Sequence, residues 1–148
     1  MLYQRVRQRR LGAAMVEMAA VAAVFLLILM GVVEYCRFVF FLQLSENAAR
    51  EGCRYAVVNT ADSNLATDTA TVVQNYMNNM GKNMSNFTIQ VYGLDSSGNT
   101  IAAPQNTPFG SNIVVQIDYD YPTMAPTLMF LNKTIHVTTK AYMCSEAN

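Results

Sequence analysis

From Gly12 to Val33 nearly every residue is apolar or small, and one charge, Glu17, interrupts the run. A stretch of this kind is long enough for the ~20 residues that cross the hydrocarbon of a bilayer. No proline occurs before Pro104, and Gly31 and Gly52 are the only glycines between Ala13 and Tyr55. A continuous helix is therefore predicted from about Ala13 to Val58, roughly 65–70 Å long at 1.5 Å per residue. Past the apolar run the pattern becomes one-sided. Phe38, Phe41, Leu42, Ser45, Ala48, Ala49, Gly52, Cys53 and Ala56 recur at three- and four-residue steps, with Gln43, Glu46, Asn47, Arg50, Glu51 and Arg54 on the other faces. The stripe begins bulky and ends small, so its outer turns let another backbone approach closely. Glu34 with Arg37, and Glu46 with Arg50, are helix-spaced pairs worth about a few tenths of a kcal/mol each.

Asn59-Thr60-Ala61-Asp62-Ser63-Asn64 breaks the helix. Leu65, Val72, Val73, Tyr76, Met77 and Met80 then follow helical spacing up to Gly81, which predicts a second helix from about Asn64 to Met80 with Gly81 as the residue that ends it. After that the period changes to two. Phe87, Ile89 and Val91 alternate with Thr88, Gln90 and Tyr92 and run into the turn signal Asp95-Ser96-Ser97-Gly98-Asn99. Two more strands are predicted over about Asn112–Tyr121 and Thr134–Met143, with Pro104, Pro108, Pro122 and Pro126 marking the connections. The fold class is α+β: a long helix, a shorter helix and an antiparallel sheet of about three strands. Such a sheet needs a helix over one face, and the small-residue stripe is the natural cover.

Charge sharpens the reading of the first turns. Residues 1–12 carry Arg5, Arg7, Arg9 and Arg10 and no acid, whereas the remaining residues carry six Lys/Arg against ten Asp/Glu. Basic residues clustered beside an apolar run hold that end in the cytoplasm, so the body of the chain is expected outside. They do not form a nucleic-acid surface. Glu17 stands against the run, because a carboxylate in hydrocarbon costs roughly 2.5–3.5 kcal/mol on insertion scales. Either it snorkels to headgroups, or it has a partner charge. Cutting after Gly12 would supply one, since it frees the amine of Ala13 one helical turn from Glu17. A conventional secretory signal is a poor fit: the run is long, contains Glu17 and leaves through Val33-Glu34-Tyr35-Cys36-Arg37, without small-x-small character.

Arg9-Arg10-Leu11-Gly12-Ala13-Ala14-Met15-Val16-Glu17-Met18, the apolar run, Gly31-Val32-Val33-Glu34-Tyr35-Cys36-Arg37 and Glu46-Asn47-Ala48-Ala49-Arg50-Glu51-Gly52-Cys53-Arg54-Tyr55-Ala56 together resemble a TadE-like pseudopilin. These are minor subunits of the tight-adherence (Tad) branch of type IV pilus machines. The resemblance implies processing by an aspartic prepilin peptidase between Gly12 and Ala13, with Glu17 as the charge used in assembly. It also implies other pilins, pseudopilins and an inner-membrane assembly platform as partners. Two departures bear on the type of subunit. Major Tad pilins usually follow the glutamate with tyrosine, where this chain has Met18, and many relatives carry a proline where it reads Val21-Ala22-Ala23-Val24. The organisation expected is a cytoplasmic leader over 1–12, a membrane-spanning part over 13–36 and an extracytoplasmic domain over 37–148. The location expected is the bacterial inner membrane, crossed once. The rival reading is a signal-anchored binding or adhesion protein that keeps its leader.

Candidate chemistry elsewhere is sparse. Asp118 and Asp120 share one face of a strand and suggest a cation site or a paired-carboxylate hydrolase, against the plain alternative of a solvated face. His136 is the only histidine and is expected to be exposed. No nucleophile elbow, zinc spacing or phosphate-binding glycine loop is present, so neither catalytic residues, metal nor cofactor are expected, and the chain is read as no enzyme. Of the three cysteines, Cys36 and Cys53 lie about 25 Å apart on one helix and cannot pair. Cys53 and Cys144 are candidates for a bridge, three separate thiols being the alternative.

Overall fold

The computed structural model describes residues 2–78, 80–124 and 132–145, with side chains from Gly12 onward apart from Lys82 and Asn83. Pro126 and the leader arginine side chains lie outside the described residues. Helix α1 runs from Leu2 to Val58 and α2 from Leu65 to Tyr76. Strands β1 (Ser85–Leu94), β2 (Thr100–Ile101), β3 (Asn112–Pro122) and β4 (Thr134–Cys144) form one antiparallel sheet in the order β2-β1-β3-β4. The α+β class and the three main strands stand as the periodicity predicts. The fourth, β2, is two residues long and pairs only with Gly93 and Leu94, too short to carry a period. Helix α1 also starts earlier than the expected Ala13, because Leu, Arg and Gln are good helix formers and nothing among them breaks a helix.

Side chains at odd positions of the three long strands point to the helices. Val115, Ile117, Tyr119, Tyr121, Val137 and Ala141 are buried there against Ala48, Ala49 and Cys53, with Phe38, Phe41 and Leu42 packed around them. The predicted stripe on α1 is thus the cover of the sheet. Each large apolar side chain buried this way contributes roughly 1.5–3 kcal/mol. A second cluster of Ala56, Val57, Leu65 and Ile113 ties the end of α1 to the start of α2. One polar cluster lies within the interface. Ser45 donates to the Leu42 carbonyl at 2.8 Å and sits 3.0 Å from Thr139 Oγ1 and 3.3 Å from the Tyr119 hydroxyl. A buried hydroxyl left unpaired would cost about 1–3 kcal/mol, so this cluster also fixes the register of helix against sheet.

Helix α2 ends before the expected Met80. Asn78 adopts φ 49°, the left-handed conformation that asparagine tolerates better than most residues, and a short 3₁₀ turn over Met80–Asn83 follows. Gly81 therefore does not end the helix. Its lack of a side chain makes room for a ring, since a Cβ there would lie 2.6 Å from Phe87. The Cys53–Cys144 bridge is not formed, and all three cysteines are free thiols. Strand alternation is the reason. Cys53 is buried with its sulfur 3.2 Å from the Ala141 carbonyl, on the helix side, whereas Cys144, at an even position, is exposed on the far side. Of the two expected helix pairs, Glu46 with Arg50 is absent among the described ion pairs. Glu51 and Arg54 pair instead at 2.9 Å.

Gly52 marks the crossing of the two helices, where a Cβ would come 2.6 Å from Val73 Cγ2 and 3.5 Å from both Thr69 and Val115. Alanine there gains up to about 1 kcal/mol in helix propensity and loses about 1–3 kcal/mol to overpacking against a stiff β-branched neighbour. Gly52→Ala is expected to lower stability by about 1 kcal/mol or more. Denaturant unfolding in detergent checks this, and a stabilised variant would contradict the close approach.

Candidate functional site

Among the described residues, the most apolar stretch of α1 has no protein packed on it. Helix α1 is long and apolar enough to cross a membrane, and the most apolar window is not buried anywhere in the fold. Met15, Val16, Val24, Phe25, Leu26 and Ile28 are all exposed, an unfavourable arrangement in water that lipid or other helices would relieve. Gly12 lies within the helix with open space where a Cβ would be. Glu17 is exposed one turn beyond Ala13 and has no ion-pair or hydrogen-bond partner among the described residues. The spacing noted in the sequence is thus present on one continuous helix.

At the outer end of the run the structure assembles a group of residues that the sequence did not bring together. Glu34 directly follows Val33, the last residue of the apolar run, yet it is only 6% exposed. Its Oε1 accepts a hydrogen bond from the Tyr121 hydroxyl at 3.1 Å, and both carboxylate oxygens lie 3.4 Å from the Met124 N–H. Arg37, one turn on, donates from Nε to the same hydroxyl at 2.6 Å and from Nη2 to the Pro122 carbonyl. Its guanidinium also lies 4.9 Å from the centre of the Tyr121 ring, within the range of a cation–π contact. The predicted Glu34–Arg37 pair survives only at 3.9 Å, because both ends have turned to the end of the sheet. Phe38 meets Tyr121 edge-on at 5.4 Å. Burial is the main influence on the Tyr121 hydroxyl and raises its pKa, with Arg37 acting against it. The signal that could have pointed here was Tyr121 itself: a phenol at a core-facing strand position needs a partner for its O–H. A cleft of about 260 Å³ opens beside this group, lined by Gly31, Tyr35, Phe38 and Ile135 among others.

On the opposite face of the sheet the two acids are tied to neighbouring strands. Asp118 accepts from Thr138 and from Gln116, both at 2.6 Å. Asp120 accepts from Asn86 at 2.6 Å and lies 2.8 Å from His136 Nδ1. His136 and then Asn86 hold the Asp120 carboxyl below the usual carboxylate range. His136 is exposed as expected. Among the described residues no three His, Cys, Asp or Glu side chains are grouped so as to hold a metal ion. These contacts describe a polar, cross-linked sheet surface.

Residues 12–54 match the family model of TadE-like proteins. The chain is TadE-like over this stretch. The match begins at Gly12 and covers the membrane-compatible part of α1, the Glu34–Arg37 turn and most of the small-residue stripe. It stops short of α2 and the sheet. Neither a curated protein nor a solved structure matches the chain. A TadE-like segment on an exposed apolar helix, with an α+β domain beyond it, supports a pilin-like reading of the chain.

Removing the Glu34 carboxylate leaves the Tyr121 hydroxyl and the Met124 N–H without their acceptor. Hydrogen bonds to a charged group are worth about 1.5–3 kcal/mol, so Glu34→Ala is expected to destabilise the junction by that order. Glu34→Gln, which keeps an acceptor, should lose less. Unfolding melts of the two variants, with amide exchange read at Met124, decide the matter. Equal, negligible losses would show that the junction is held by Phe38 and Phe41 alone.

Proposed function

We propose that this TadE-like chain is a minor pilin of a Tad-type machine, made as a precursor and cut by a prepilin peptidase between Gly12 and Ala13. In this reading the N-terminus is cytoplasmic, α1 crosses the inner membrane once, and the sheet domain lies on the far side. The chain is a substrate of the peptidase rather than an enzyme. The observation that carries the reading is the unbroken helix on which Gly12, Glu17 and the exposed apolar run lie ahead of the domain.

The mechanism is assembly. Removing the leader deletes four positive charges and exposes the Ala13 amine within a turn of Glu17. Inside hydrocarbon the two opposite charges satisfy one another, on the same chain or between neighbouring subunits, and the cost of burying Glu17 alone is removed. The exposed apolar face of α1 then packs on the helices of other pilins, and the assembly platform moves the bundle outward. The Glu34–Tyr121–Arg37 junction makes the domain follow the helix, so a displacement of α1 is passed to the domain. Met18, in place of the tyrosine usual in the major subunit, favours the minor role.

Two outcomes are expected. N-terminal sequencing of the membrane-resident protein should begin Ala13-Ala14-Met15, and Gly12→Val should leave the precursor uncut. An unchanged mature mass in Gly12→Val would remove the leader assignment. A native protein that retains residues 1–12 would identify a plain signal anchor instead. Glu17→Ala should insert in the membrane as well as the native chain or better, because a desolvated charge is gone. Its recovery with partner pilins should fall severalfold. Undiminished co-purification would mean that Glu17 only reaches for headgroups.

A further inference from the structure

The two edges of the sheet are built differently. On the β1 side the edge is interrupted: β2 covers Gly93 and Leu94, a bulge lies between Ser85 and Thr88, and Asn86 sits at φ 55°. These are the devices by which proteins keep an edge from pairing with another chain. On the other side β4 is the last strand. It pairs with β3 over eleven consecutive positions, from Pro122↔Thr134 to Asn112↔Cys144, with no shift of register. It contains no proline and no acid, and Lys140 is its one lysine. About half the N–H and C=O groups of such a strand turn away from β3, its one strand partner among the described residues. We propose that the free edge of β4 is a docking site for an extended segment of another protein, which adds a fifth strand antiparallel to β4.

The direction of β4 indicates what can bind there. Arg37 reaches the Pro122 carbonyl, opposite Thr134, whereas Cys53 lies against Ala141. Sixteen helical residues, or about 24 Å, separate those two contacts, so β4 runs alongside α1 and away from the apolar run. A second copy anchored in the same membrane presents its β4 in the same direction. Antiparallel pairing of the two β4 edges would point the two apolar helices opposite ways, and the shared anchor forbids it. Parallel pairing about an axis along the strands would set the polar face of one sheet beside the helix-covered face of the other. The occupant is therefore a segment of a different chain. It would have apolar residues continuing the row of Ile135, Val137 and Ala141, and an acid facing the exposed Lys140. Main-chain bonds supply the affinity in this mode and alternate side chains the selectivity.

The exclusion of a second copy rests on the membrane-anchored reading above, but the edge itself does not, and it can be tested separately. The probe is a synthetic peptide of residues 112–122, the sequence that already pairs with β4 on its inner side, titrated into the full-length protein in detergent. Amide exchange is followed along β4. Slowing of tenfold or more is expected at every second β4 amide, those not bonded to β3. A peptide with prolines at positions 114 and 118, whose N–H groups would face β4 in that pairing, should give none. In the register seen on the inner side, peptide position 116 faces Lys140. The Gln116→Glu peptide should thus bind up to about fivefold more tightly, and Lys140→Glu in the protein should reverse that preference. Continued protection of the Cys53 thiol from alkylation confirms that the protein stays folded throughout. No slowing in β4 at millimolar peptide, slowing without alternation, or a preference indifferent to Lys140→Glu would each overturn the proposal.

Discussion

The structure depends on one close contact, that of the small-residue stripe of α1 with the β3–β4 face. Ala48, Ala49, Gly52 and Cys53 present little side chain, so the helix backbone comes near enough to cover Val115, Ile117, Tyr119 and Ala141 together. A sheet of this size needs helices over one face, and Val73 and Met77 of α2 complete the cover that α1 provides. The same helix, twenty residues earlier, has an exposed face of large apolar side chains. One helix therefore meets two solvents, and the change from bulky to small residues along it is the structural record of that division.

Where the two regimes meet, the chain uses its most demanding polar interaction. Glu34 has left the apolar run but is buried beneath the end of the sheet, and a buried carboxylate is tolerable only if it is well bonded. Tyr121, the Met124 N–H and Arg37 meet that need from residues far along the chain. The result is a junction with directional bonds rather than apolar contact alone. It gives the domain a defined orientation on its helix.

The outer face of the sheet has a different character. Asn86, Asp120 and His136 form one group of short hydrogen bonds across β1, β3 and β4, and Asp118 with Thr138 another between β3 and β4. Two acids on one face looked like possible chemistry in the sequence. In the structure each is engaged by its own cross-strand partners, and the first group stabilises the bulged start of β1. The proposed function draws instead on residues of the helix, Gly12, Glu17 and Glu34.

Much of this was legible in the sequence because it is local. Helical and strand periods arise between residues a few positions apart, so α1, its stripe, α2 and the three long strands could be read before any contact was known. The Gly12–Glu17 spacing is local too. What the sequence could not decide were contacts set by register between distant elements. Glu34 and Tyr121 are 87 residues apart, and the pairing of Pro122 with Thr134 determines which side chains reach α1. Cys53 and Cys144 could be proposed as a pair only while the face of Cys144 was open, and a period of two put it on the wrong side. Gly81 illustrates the same limit on a smaller scale. A glycine after a helix reads as its end, but here Asn78 ends the helix and the space at Gly81 is taken by Phe87, a neighbour that only the folded chain supplies.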